Sequence, residues 1–190
     1  MKKVLLALAC LIVLCFPRMG RGDELFGEFQ RLPDQVERGF SVGFDFGLLF
    51  FTGEARTAKN PGFQLTFTTG YDLFKYLSLE GVYSIGINEA SAGDFVLQGG
   101  VNTILLNLAA KAQYPLGRFY PFLEVGPGIH YSDPEFVPGQ NNKINILIGG
   151  GIEYYTYLRH FSLYAKTSYY YILDVPVDTI NIGAGLKYTF

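Results

Sequence analysis

From residue 40 onward, large apolar residues alternate with small or polar ones at a period of two. Phe40, Val42, Phe44, Phe46, Leu48 and Phe50 interleave with Ser41, Gly43, Asp45, Gly47 and Leu49. This is the repeat of a β-strand whose two faces meet different surroundings. The same alternation recurs over 63–73, 77–87, 104–114, 123–131, 144–154, 161–171 and 180–190. It predicts eight strands, most of about ten residues or slightly more, the length that crosses a bilayer at a tilt. The intervening stretches 52–61, 88–101, 132–142 and 172–178 are long, whereas 74–76, 115–119 and 157–160 are short. Alternating long loops and tight turns is the habit of an even-stranded outer-membrane barrel, with both chain ends on the periplasmic side.

A soluble sandwich or lipocalin-like barrel would also alternate, so the chemistry of the two faces has to decide. Asp45, Asp72, Glu80, Lys111, Glu124, Glu153, Lys166 and Lys187 all share the face that carries most of the glycines. The opposite face, rich in Phe, Leu, Ile and Tyr, has no charge in any of the eight predicted strands. In water such a face, repeated eight times, would drive aggregation. In lipid it is what stability requires. Tyr71, Tyr114, Tyr131, Tyr154, Tyr169, Tyr171 and Tyr188 fall near strand ends, where an aromatic girdle belongs. The expected fold is all-β: a closed eight-stranded antiparallel transmembrane β-barrel over 38–190, in the cell outer membrane.

The beginning of the chain reads differently. A basic start, Met1-Lys2-Lys3, precedes an apolar run from Val4 to Phe16. Thirteen residues are too few for a spanning helix and suit a secretory signal peptide. Gly20 and Gly22 place the cut after residue 22, leaving 23–37 as a polar periplasmic lead. The rival, a lipoprotein signal at Cys10 or Cys15, would leave too short an apolar run or follow too large a residue, Leu14. Cleavage removes four basic residues, no acid and both cysteines, so the net charge moves from −2 to −6. An exported chain without cysteine has no disulfide framework and needs closed hydrogen bonding instead. No basic block appears, so nucleic acid is not an expected partner.

Composition narrows the class without naming a role. The chain has 23 Gly, 17 Phe, 14 Tyr and no Trp, and only 17% of its residues are charged. That excludes a disordered, charge-rich chain and a long-helix protein.

Three segments carry a resemblance: 77–83 (LSLEGVY), 114–122 (YPLGRFYPF) and 185–190 (GLKYTF). They resemble the small eight-stranded outer-membrane barrels of the outer membrane protein X and outer membrane protein A type. The chain is also similar to the barrel proteins of myxobacterial surface gliding. That resemblance implies a structural or interaction component of the envelope, part of a gliding-motility complex, with envelope or motility proteins as partners. The final strand, with Leu186, Tyr188 and Phe190 at alternate positions, resembles the signal read by the outer-membrane barrel assembly machinery. Outer-membrane lipids and that machinery are therefore expected partners.

Inside the barrel, Asp45, Glu80, Lys111, Glu124, Glu153, Lys166 and Lys187 are expected to form a paired polar network, since an unpaired buried charge carries a large desolvation penalty. Tyr155, Tyr164, Tyr170, Phe122, Leu105 and Leu147 are expected to block the remaining lumen. A plug is favoured over an ion path, which sets aside the alternative of a small porin. No cofactor, metal or catalytic residue is expected. Asp133 and Glu135 are a thin basis for calcium, and His160 beside Arg159 reads as a solvated turn residue.

One enzymatic alternative stands beside this. His130-Tyr131-Ser132 resembles the His-x-Ser of lipid A 3-O-deacylases, which implies His130 as general base and Ser132 as nucleophile. Here Asp133 stands where that family has Asn, and Ile144 where it has Glu; Glu135 is too close and Glu153 too deep. The expected function is therefore non-enzymatic.

Overall fold

The computed structural model describes residues 38–53, 61–89, 100–133, 142–156, 160–175 and 177–190. The expected signal peptide and lead, 1–37, lie outside them. Eight antiparallel strands follow in order: β1 (Phe40–Gly53), β2 (Gly62–Phe74), β3 (Leu77–Glu89), β4 (Gly100–Gln113), β5 (Phe119–Asp133), β6 (Asn142–Tyr155), β7 (Phe161–Ile172) and β8 (Val177–Thr189). Each pairs with its neighbours in sequence, and β8 pairs with β1 to close the barrel. The closing ladder runs from Ser41↔Thr189 to Gly53↔Val177.

Closure carries a stagger that the ladders define. One path leads from Phe40 through Tyr71, Leu79, Ala110, Val125, Ile148, Tyr169 and Ile180 to Phe50. It returns to β1 ten residues beyond its start, a shear of ten for eight strands. With a rise of ~3.3 Å per residue and ~4.8 Å between strands, that stagger tilts the strands by about 40°. In β5, Pro127 lacks the N–H a ladder needs, and the pairing with β4 passes from Asn107↔Gly128 to Ala110↔Val125.

The strands contain 12 to 15 residues, longer than the alternation implied. The ladders continue past the apolar belt, because hydrogen bonding does not stop where hydrophobic patterning fades. The last loop changes most. Sequence made 172–178 a long connection, but β7 and β8 leave only 173–176 between them. Asp178 explains the tight return: its carboxylate accepts from the Ile172 N–H (3.1 Å) and the Tyr169 hydroxyl (2.5 Å), while Asp174 adopts φ 61°. Asp tolerates that left-handed conformation better than most residues.

The two ends of the barrel therefore differ. The turn end holds connections 75–76, 114–118 and 156–160, the start of β1 and the end of β8; the loop end holds the connections between β1 and β2, β3 and β4, β5 and β6, and β7 and β8.

The two faces separate as the pattern predicts. Outward side chains such as Phe46, Leu48, Phe67, Leu106, Leu108, Leu123, Ile152 and Leu186 are exposed, each about half or more. On the outward face, among the residues whose side chains are described, charges occur at the loop end, at Asp133 and Asp178, beyond the shorter strands the sequence implied. Rings ornament the turn end: Tyr76 stacks on Tyr114, Phe119 meets Tyr154, and Phe161, Tyr188 and Phe190 form a chain of edge contacts. Of the expected girdle, Tyr71, Tyr114, Tyr154 and Tyr188 lie at the turn end, and Tyr131, Tyr169 and Tyr171 toward the loop end.

Candidate functional site

The interior is the place where charge concentrates, and it has two layers. Asp45, Glu80, Lys111, Glu124, Glu153, Lys166 and Lys187 are all buried inside the barrel. Each lies in the half of its strand nearer the turn end. The half nearer the loops has a different lining: Leu49, Phe51 and Val177 form one apolar cluster, and Val82, Leu105, Ala109, Leu147 and Tyr170 form another at mid-barrel.

Glu153 is the hub of the charged layer. Its Oε2 accepts from Lys111 Nζ at 2.8 Å; its Oε1 takes Lys187 Nζ at 2.5 Å and the Ser162 hydroxyl at 2.5 Å. Lys111 also reaches Glu80 Oε1 at 3.2 Å and lies 4.2 Å from the Phe122 ring centre. Asp45 Oδ2 forms a second hub, with Lys166 Nζ at 3.2 Å and the Tyr164 hydroxyl donating at 2.9 Å. Glu124 accepts from Ser168 Oγ at 3.1 Å and is attracted to Lys166. A small cavity of about 10 Å³ lies among the lysine partners of both hubs, lined by Gly43, Glu80, Lys111, Glu124, Lys166 and Lys187 among others. That is room for about one water molecule.

Nearer the loops the polar contacts are neutral. Gln64 donates to Thr66 (3.3 Å) and faces the Tyr170 hydroxyl, Thr66 and Ser84 share a 3.0 Å bond, and Asn107 bonds Asn145. Tyr155, Tyr164, Tyr170, Phe122, Leu105 and Leu147 are buried inward, as their parity requires. Glycines opposite these groups make space: a Cβ at Gly86 would meet Leu49 Cδ2 at 2.6 Å, and one at Gly149 would fall on the Glu124 carboxylate.

His130 and Ser132 both point into the barrel and are 2% exposed. The pair therefore faces the lumen rather than lipid, and Glu135 lies outside the described residues. His160 departs from the expected solvated turn residue. Its Nδ1 lies 2.7 Å from the Thr189 carbonyl and its ring stacks on Tyr188 at 5.5 Å, tying the β6–β7 turn to the closing strand. Leu186 and Phe190 are exposed outward, and the Phe190 N–H donates to the Phe40 carbonyl at 2.9 Å, beside a ring contact of 5.6 Å. The neutral partners Ser162, Ser168 and Tyr164 were not singled out as members of the network. Parity places them inside, but only the stagger brings them to their carboxylates.

A closed antiparallel barrel with an apolar exterior and a filled polar interior is a membrane-spanning barrel, the only sheet form that leaves no open edge in lipid. The family model of the outer membrane protein beta-barrel domain matches residues 6–190. The chain belongs to that family and is an outer-membrane protein. Among solved structures it is similar to Neisserial surface protein A (16% identity, 80% of this chain and 97% of that one, TM-score 0.64). It is also similar to the outer membrane protein OprG from Pseudomonas aeruginosa (15%, 82% and 99%, TM-score 0.52) and to the outer membrane enzyme PagL (15%, 79% and 99%, TM-score 0.48). At these identities the likeness is one of fold. No curated protein matches the chain in sequence.

Proposed function

We propose that the protein is a non-enzymatic structural or interaction component of the outer membrane, with its turn end in the periplasm and its loops outside. The observation that carries this reading is the filled interior: a salt-bridged layer under one of apolar clusters and neutral hydrogen-bonded side chains. A lumen stapled by buried ion pairs and closed by Leu49, Leu105, Leu147 and Tyr170 suits a rigid scaffold better than a pore. The lipid A hydrolase is disfavoured because His130 and Ser132 face the lumen, where an acyl ester in the surrounding lipid does not reach. The finer reading, a part in a gliding-motility complex, rests on the resemblance to gliding barrels such as CglE.

Two experiments test these levels separately. Lipid A acylation, read by mass spectrometry, should be the same in cells with the wild-type protein, Ser132→Ala or no protein. A deacylated species that depends on Ser132 would make the protein an enzyme. Deleting the gene should abolish single-cell surface movement while leaving outer-membrane permeability intact. Unimpaired movement would remove the motility assignment and leave the scaffold reading standing.

A further inference from the structure

We propose that the closing seam between β1 and β8 holds one alkali-metal cation, bound by Asp45 Oδ1, Asn181 Oδ1 and the Phe46 carbonyl above Gly183. Its ligands come from the two strands that meet only when the ring closes, so the ion acts as a clip on barrel closure.

Glycine makes the space. Gly47 and Gly183 are buried and pair directly across the seam. The Asn181 amide lies over Gly47, where a Cβ would fall on it. At Gly183 the three atoms nearest to the point a Cβ would occupy are all oxygens: the Phe46 carbonyl at 2.8 Å, Asn181 Oδ1 at 3.2 Å and Asp45 Oδ1 at 3.3 Å. Asp45 is fully buried and Asn181 is 1% exposed. Asp45 Oδ2 takes Lys166 and the Tyr164 hydroxyl, but Oδ1 and both ends of the Asn181 amide have no hydrogen-bond partner among the described residues. Gln64, which pairs with Gly47 from β2, carries a further inward carbonyl oxygen in the same condition. A carboxylate oxygen left bare in the interior is a costly group, and a cation removes that cost.

The chemistry of the three oxygens selects the ion. Carboxylate and carbonyl oxygens are hard donors that suit hard cations, and the converging atoms include no imidazole or thiolate for a transition metal. A single carboxylate that already shares its charge with Lys166 at 3.2 Å matches one positive charge and not two. The surrounding layer has the same balance. Among the described residues of the turn-end half, the carboxylates Asp45, Glu80, Glu124 and Glu153 are buried with the ammonium groups of Lys111, Lys166 and Lys187, an excess of one acid. The half-buried Asp72 and Arg118 at the rim offset each other. One monovalent cation brings this low-dielectric layer to neutrality. A water molecule would offer two donors to three acceptors and no charge. On the loop side the notch meets Leu49, which pairs with Asn181 and belongs to an apolar cluster. Sequence pattern hides the site, because Asp45 and Asn181 lie near opposite ends of the barrel sequence and come together through closure alone.

The test uses the full chain refolded in zwitterionic detergent. Urea unfolding, followed by the gel shift of the folded form, is run in sodium, potassium and choline chloride at one ionic strength. Choline screens charge equally but is too large for a notch made by two glycines. The site exists in the closed barrel alone, so the ion shifts unfolding by mass action. For the better fitting of sodium and potassium, each tenfold rise above its dissociation constant should raise the folded-to-unfolded ratio about tenfold, with no such rise in choline. Asn181→Ala should abolish that difference, each variant being compared with its own behaviour in choline. Asn181→Asp should enlarge it, because a second carboxylate then faces the ion. Asn107→Ala, which removes an inward amide on β4 away from the seam, should keep it. Asp45→Asn should also abolish the difference, but it weakens the partner of Lys166 as well, and Asn181→Ala keeps the test decisive if that variant does not fold. Equal unfolding of the wild type in all three salts would overturn the proposal. So would an alkali-cation effect that Asn181→Ala leaves undiminished.

Discussion

Glu153 shows what a single residue does in this barrel. Its two oxygens hold Lys111, Lys187 and Ser162 at once, so three strands meet on one carboxylate. Glu153→Gln would leave two buried ammonium groups short of a counter-charge. Breaking a buried pair this way costs on the order of 3–5 kcal/mol. The urea midpoint of the refolded barrel should fall sharply for Glu153→Gln and less for Glu80→Gln, whose ion pair to Lys111 is longer, at 3.2 Å. Phe190 offers a contrast, since it stands exposed at the rim against Phe40 and Tyr188. Phe190→Ser should depress assembly in cells while the protein still refolds in detergent, as the assembly-signal reading requires. Leu186→Ser, well inside the apolar belt, should instead weaken the refolded barrel. Normal assembly of Phe190→Ser at native expression would make Phe190 an ordinary end of the strand. Parity alone told which of these residues face inward. It could not tell that Ser162 meets Glu153, because that depends on where β6 and β7 register, and a period of two looks the same after a slip of two residues.

At the scale of elements, the strands were legible and their ends were not. Alternation is written into β1 and β8 by Phe, Leu and Ile, but the stop of β7 depends on Asp178 reaching back to Ile172 and Tyr169. Sequence shows an Asp there without showing where its carboxylate turns. The seam between β1 and β8 gives a sharper test. A Cβ at Gly185 would come within 2.8 Å of the Asp45 Cα, in the backbone of the facing strand, whereas the nearest atom to one at Gly81 is Thr69 Oγ1 at 3.2 Å, with the Thr69 carbonyl at an ordinary 3.8 Å. Gly185→Ala should therefore slow or prevent barrel closure, and Gly81→Ala should refold nearly as the wild type does, both followed by the gel shift of the folded form. Equal refolding would mean the seam can open without loss. An epitope placed in the 54–60 loop, between β1 and β2, should be reachable on intact cells. A tag reached only after the outer membrane is breached would turn the barrel upside down.

At the scale of the whole molecule, closure removes every free edge, and the shear of ten sets how much space the eight strands enclose. That space is filled from the turn end by ion pairs and toward the loops by Leu49, Leu105, Leu147 and Tyr170. The sequence showed the eightfold alternation and the inward charges. It did not show their division into two layers, because layering follows from tilt and stagger rather than from any local pattern. With no edge to fray, the folded form should survive detergent unheated and migrate differently from a boiled sample. The measurement that bears most directly on the filled lumen is conductance of the purified protein in planar lipid bilayers. The packed interior predicts no stable, high-conductance channel in either orientation of applied voltage. A stable large channel from the wild type would contradict the account, because it would require Leu105, Leu147 and Tyr170 to leave the path they occupy.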